Sequence, residues 1–219
     1  MLAGDRLVYT VDLRNHGLSP HASDFDYGIM ADDLIGFIRD MNSGPVILIG
    51  HSMGGKVAML VSVREPGLVS KLIVVDMVPK SYTPHHDHIL EGMLSMPLDR
   101  FTNRQEADAW LAGHVPDAGV RQFLLKNLSR SESGFSWKIN LPVIAANIGH
   151  ILDNPVAGIY SGPTLFVMGS RSDYFKPEDK ALLTEHFPTH QLTFLDTGHW
   201  VQAEKPAEFV ETVQAFIHA

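Results

Sequence analysis

The chain has 219 residues, 45% of them hydrophobic and 19% charged, so it can bury a sizeable core and is neither a disordered tail nor a coiled coil. A formal charge of −8 argues against nucleic acid as the main partner, and no apolar run approaches the roughly 20 residues of a membrane span. The absence of cysteine removes disulfides, thiolate nucleophiles, zinc fingers and iron–sulfur sites together.

In chain order, short apolar runs alternate with helical patterns, as in a mostly parallel α/β sheet with helices on both faces. The opening residues do not read as a signal peptide and run straight into a first expected strand, Arg6–Asp12. Met30, Leu34, Phe37, Ile38 and Met41 then share one face of an amphipathic helix whose other face carries Asp32, Asp33, Arg39 and Asp40. The next expected strands are Val46–Gly50 and Leu72–Asp76, separated by a helix from Lys56 to Arg64. Thr164–Gly169, Gln191–Asp196 and a final helix from Pro206 to Ile217 complete the alternation. Each strand is nearly continuous in apolar character, the pattern of strands buried on both faces.

Between Val78 and about Ser161 the alternation breaks. Helical patterns around Ile89–Met96, Arg104–Leu111 and Gly119–Leu128 come without a convincing buried strand. The expected organisation is a core of residues 1–78 and 162–219, interrupted by a helical cap insertion over 79–161. Insertions at this place in an open sheet sit above the carboxyl ends of the strands, where ligands bind. Met93, Met96, Leu90 and Leu94 suit a cap core or an acyl-facing wall, and Trp110 and Trp137 suit packing anchors.

The strongest signal is Gly50-His51-Ser52-Met53-Gly54, a G-x-S-x-G with a strand before it and a helix after it. A sharp strand-to-helix turn lifts the serine Oγ above the sheet. Side chains at the flanking positions are expected to collide with neighbouring strands, hence glycine at both. Ser52 is thus the candidate nucleophile, and the Met53 N–H, at a helix N-terminus, the candidate oxyanion donor. A serine hydroxyl needs a base. Of twelve histidines, His199 follows the last strand and precedes the final helix, so it points into the same crevice as Ser52. Two carboxylates could orient it: Asp76, 24 residues after the serine at the end of one strand, and Asp173, after Gly169 at the end of another.

Other patterns carry less chemistry. His85-His86-Asp87-His88 lacks a second ligand pair at a defined spacing, so no metal is expected there. The Gly-Lys that closes GHSMGGK lacks phosphate-loop spacing, so nucleotide binding is not expected either.

The elbow, Gly198-His199 near the end and the strand order resemble the α/β-hydrolase superfamily, and three blocks narrow the likeness: Asp12-Leu13-Arg14-Asn15-His16-Gly17 followed by Ser19-Pro20, Gly50-His51-Ser52-Met53-Gly54-Gly55-Lys56, and Val75-Asp76 with Pro79. Within that superfamily these blocks resemble the small esterases of the YbfF type and their mitochondrial relatives. Arg121–Leu128 and Gly198–Pro206 extend the likeness over nearly the whole chain. The resemblance implies a serine hydrolase of small-molecule acyl esters or thioesters, with a helical cap and no cofactor. It favours Asp76 over Asp173, because the loop Ser172-Asp173-Tyr174 matches a Ser-x-Tyr pattern that accompanies an acid on the earlier strand.

The resemblance also implies three strands and a helix ahead of Arg6–Asp12, including a His-Gly loop with a second oxyanion donor. His16-Gly17 follows the wrong strand to replace it. The expectation is an N-terminally incomplete α/β-hydrolase fold that is weak, aggregation-prone or inactive, cytoplasmic, or mitochondrial if a targeting segment lies upstream. A non-catalytic binding protein on this fold, or a carbon–carbon bond hydrolase or lyase with the same residues, are the rivals.

Overall fold

The computed structural model describes residues 4, 6–83, 87–132 and 134–219. They form two compact units, one of residues 1–11, 26–81 and 153–219, the other of 12–25 and 82–152.

The first unit is a four-stranded parallel sheet in the order β1 (Val46–His51), β2 (Val69–Val75), β5 (Thr164–Gly169), β6 (His190–Leu195). Adjacent residues along the two central strands face opposite sides. Ile73, Val75, Leu165 and Val167 pack with Val201, Phe209, Val213 and Phe216, so α9 (Val201–Glu204) and α10 (Pro206–His218) cover that face. Leu72, Val74, Phe166 and Met168 point the other way and are equally buried. Burial on both faces explains why these strands lack polar alternation.

Helix α2 (Met53–Arg64) packs on β1 and β2, and α1 (Tyr27–Met41) packs on α2. Local chemistry sets the ends of α1. Asp26 caps it by accepting from the Ile29 N–H at 2.9 Å, and Asn42 ends it in the left-handed region at φ 46°. Its Met30, Leu34 and Ile38 recur at helical spacing and are buried. A further α-helix of this unit, α8 (Lys180–His186), follows β5.

The expected strand Arg6–Asp12 is not in the sheet. These residues join no strand ladder, Leu7 is 79% exposed, and Tyr9 meets α1 edge-on through Phe37, with ring centroids 5.8 Å apart. Extended, apolar chain becomes a strand only where a neighbour offers free backbone groups in register. Among the described residues β1 pairs with β2 alone, and Ile49 on it is 39% exposed.

The second unit contains α3 (Asp87–Leu94), α4 (Arg104–Ala112), α5 (Ala118–Leu125), α6 (Leu141–Ala146) and α7 (Ile148–Leu152). It also contains an antiparallel hairpin, β3 (Leu128–Ser131) with β4 (Gly134–Trp137), where no strand was expected. The hairpin is short and half polar, and its main anchors are Leu128 and Phe135, which join Met93, Met96, Leu111, Leu125 and Leu141 in the core. Trp137 packs partly buried against that core, whereas Trp110 is more exposed. Arg104 fastens the hairpin to α5 through the carbonyls of Leu125 and Leu128. The Arg14–Gly17 block serves this unit structurally. Asn15, left-handed at φ 65°, receives the Asn140 backbone N–H at 2.9 Å and its side-chain amide at 3.0 Å.

Back in the first unit, Lys56 of α2 is buried against Tyr27 and donates to the Asp153 carbonyl at 2.6 Å. Burial lowers its pKa from 10.5 to about 8, although Asp153 favours the charged form. Below pH 8 both folded and unfolded chains hold this proton and the penalty is complete. Between pH 8 and 10.5 only the unfolded chain holds it, so stability rises with pH, by at most about 1.4 kcal/mol per unit. Lys56→Met should flatten that rise in denaturant midpoints measured at pH 7, 8.5 and 10. An equally steep rise in the variant would contradict this.

Candidate active site

The turn from β1 into α2 carries Ser52 at φ 54°, ψ −121°, a conformation that L-residues adopt only under constraint. Its backbone N–H donates to the Val75 carbonyl at 3.1 Å, and its carbonyl accepts from Gly55 and Lys56 as the helix begins. Both ends of the strained residue are thus held by regular structure. The crowding that requires glycine differs from the expectation. A Cβ on Gly50 would lie 2.2 Å from the Gly54 carbonyl oxygen, so the turn itself, rather than a neighbouring strand, excludes a side chain there. A Cβ on Gly54 would meet nothing within 4 Å. The tighter second glycine is Gly55, whose Cβ would come 3.1 Å from Val74.

His199 follows β6, in the loop that leads to α9. Its Nε2 lies 3.0 Å from Ser52 Oγ and its Nδ1 lies 2.7 Å from Asp76 Oδ2. A carboxylate only accepts, so Nδ1 carries the proton and Nε2 is free to accept from the serine hydroxyl. Asp76, just past β2, has φ 48° and is fully buried. Its other contacts are the Gly169 N–H at 2.9 Å on Oδ1 and the Ser172 hydroxyl at 2.5 Å on Oδ2. Three donors therefore converge on a buried anion, which offsets the cost of its desolvation.

Asp173 is not part of this cluster. Its side chain is 96% exposed and pairs with Lys176 at 2.9 Å, and that hydrogen bond and charge hold its carboxyl below the usual range. The contrast has a local origin. Ser172 turns inward to Asp76, and the next residue faces solvent. Met53 is the first residue of α2, so its N–H has no carbonyl partner within the helix.

Several supporting groups were not anticipated. His51 donates from Nε2 to the His199 carbonyl at 2.8 Å, and burial, then the neighbouring His199, lowers its pKa to about 4. The Tyr174 ring stacks on His199 with centroids 4.1 Å apart and planes 17° from parallel. Burial, then Asp76, raises the Tyr174 phenol. Glu204 accepts the Gly198 N–H at 3.0 Å and pairs with Arg171 at 2.9 Å, which anchors the loop before His199. Gly169 lets that loop approach, since a Cβ there would lie 2.1 Å from the Gly198 carbonyl oxygen. Ser172 and Tyr174 stand in the noted Ser-x-Tyr pattern and Glu204 in the Gly198–Pro206 block, so their positions were visible but their contacts were not.

Among the described residues no group of three or more His, Asp or Glu side chains is placed to hold a metal ion. His85 and His86 lie outside the described residues. Among those described, no helix is long and apolar enough to cross a membrane.

A family model described as the alpha/beta hydrolase family matches residues 2–212. The mouse protein "sn-1-specific diacylglycerol lipase ABHD11" is 40% identical over 220 residues, covering 97% of this chain and 72% of that protein. "Esterase YbfF" of Escherichia coli strain K12 is 32% identical over 219 residues, covering 99% of this chain and 85% of that protein. Among solved structures, "Marine microorganism esterase" superposes with a TM-score of 0.90 at 37% identity, covering 94% of this chain and 82% of that one.

Proposed function

This chain belongs to the alpha/beta hydrolase family and has its fold, and from that premise we propose that it hydrolyses carboxylic esters or acyl thioesters of small molecules through an acyl-enzyme on Ser52. The observation that carries the reading is the unbroken chain of hydrogen bonds from Ser52 Oγ through His199 to buried Asp76. Relatives named as an esterase and a lipase support the ester class.

In this reading Ser52 Oγ attacks the acyl carbonyl carbon as its proton passes to His199 Nε2. The carbonyl π pair moves to oxygen, and the Met53 N–H at the start of α2 stabilises the oxyanion. Collapse expels the alcohol or thiol, which takes the proton from His199 and leaves an ester on Ser52. Water then attacks that ester, giving its proton to His199, and the acid leaves with the serine regenerated. Asp76 holds the imidazole in the Nδ1–H tautomer and stabilises the imidazolium between steps. No cofactor enters any step.

The test is pre-steady-state release of nitrophenol from esters of increasing acyl length, with an acyl thioester and a diacylglycerol emulsion alongside. The expected result is a burst stoichiometric with enzyme, followed by slower turnover, on at least one ester or thioester. A folded chain that turns over none of these, or that cleaves a vinylogous diketone and no ester, would contradict the reading.

A further inference from the structure

The residue before the nucleophile carries a feature that the proposed chemistry does not use. His51 is the last residue of β1, and its ring lies beside that of His199, with centroids 4.6 Å apart and planes tilted by 41°. Its Nε2 lies 2.8 Å from the His199 backbone carbonyl oxygen. A carbonyl cannot donate, so the His51 proton sits on Nε2. The bond joins residues 148 apart in sequence. One end is fixed in the sheet beside Ser52, and the other is the backbone of the residue whose side chain must reach Ser52.

We propose that His51 is a positioning residue: its Nε2–H tethers the His199 backbone to the strand that carries Ser52 and so sets the imidazole-to-hydroxyl distance. This rests on the hydrolase reading above. The tether works through the backbone, so any side chain that donates to the same carbonyl can replace it. Charge is not needed and would be harmful, because a cationic His51 would repel the imidazolium that forms on His199. Burial, then His199 itself, keeps His51 neutral down to about pH 4, opposed first by the hydrogen bond to the His199 carbonyl and then by Asp76. The Tyr174 phenol, stacked on His199, is pushed up and also stays neutral.

The test compares His51→Phe, which keeps a ring but has no donor, with His51→Gln, which restores an N–H. The expected result for the Phe variant is a kcat lower by about 10- to 100-fold with KM changed by less than about threefold. The Gln variant should recover to within about fivefold of the parent. Parental kcat in the Phe variant, or an equal loss in both variants, would overturn the proposal, since a packing role favours Phe and disfavours Gln.

The parent chain labelled with nitrogen-15 histidine gives a readout that needs no variant to fold. His51 should appear as the neutral Nε2–H tautomer at pH 5.5, and an Nδ1–H tautomer or an imidazolium at that pH would overturn the tether. Turnover that survives Ser52→Ala would remove the hydrolase reading and the positioning role together. Parental turnover in His51→Phe beside an inactive Ser52→Ala would remove only the role of His51.

Discussion

Asp76→Asn should lower kcat by about four orders of magnitude while the sheet stays folded. The carboxylate receives hydrogen bonds from His199 Nδ1, the Gly169 N–H and the Ser172 hydroxyl. An asparagine has one oxygen and one NH2 group in place of two oxygens, so at least one of these donors would face another donor. Ser172 can rotate its hydroxyl to accept, but Gly169 cannot. The favoured arrangement keeps the amide oxygen on Gly169 and turns the NH2 toward His199. That selects the Nε2–H tautomer, which donates toward Ser52 instead of accepting from it. Asp173→Asn, at an exposed carboxylate paired only with Lys176, should stay within about twofold of the parent. Steady-state kinetics with circular dichroism as the fold control checks both, and the reverse pattern would move the acid to Asp173.

Ser52→Ala and His199→Ala should each lower kcat by about 10⁶-fold, and the double variant by no more than either alone. The two side chains act as one unit across a 3.0 Å hydrogen bond, so removing one leaves the other without a task. Multiplied losses would mean that they contribute separately and that the attack does not run through this pair. The residual rate should also be independent of which residue is missing.

Local patterns were legible in the sequence, and pairings across the fold were not. The turn at Ser52 could be read because glycines, strand and helix all lie within about twenty residues, and each constrains the next. His199 could be read from its place after the last strand. Asp76 and Asp173 could not be separated by position, since both follow strands that end at the same side of the sheet. Burial separates them, and burial depends on Ser172 turning inward.

Arg6–Asp12 has the composition of a strand, but pairing needs a neighbour that composition does not supply. The hairpin at Leu128–Trp137 was hidden for the opposite reason. Its strands are four residues each and half polar, and Leu128 and Phe135 join a core assembled from helices distant in sequence. His51 and Tyr174 were missed because each acts on the backbone or ring of His199 from a distant point in the chain, and Glu204 because its bond to the Gly198 N–H depends on how the loop folds back.

The most direct test of the account is the intact mass of the purified chain after exposure to a fluorophosphonate, with Ser52→Ala and His199→Ala treated in parallel. Fluorophosphonates mark a serine only when a base has activated it. The expected result is one adduct on the parent, none on Ser52→Ala and a strongly slowed reaction on His199→Ala. A folded parent that takes no adduct, or an adduct that persists on Ser52→Ala, would contradict the claim that Ser52 is a nucleophile activated by His199 and Asp76.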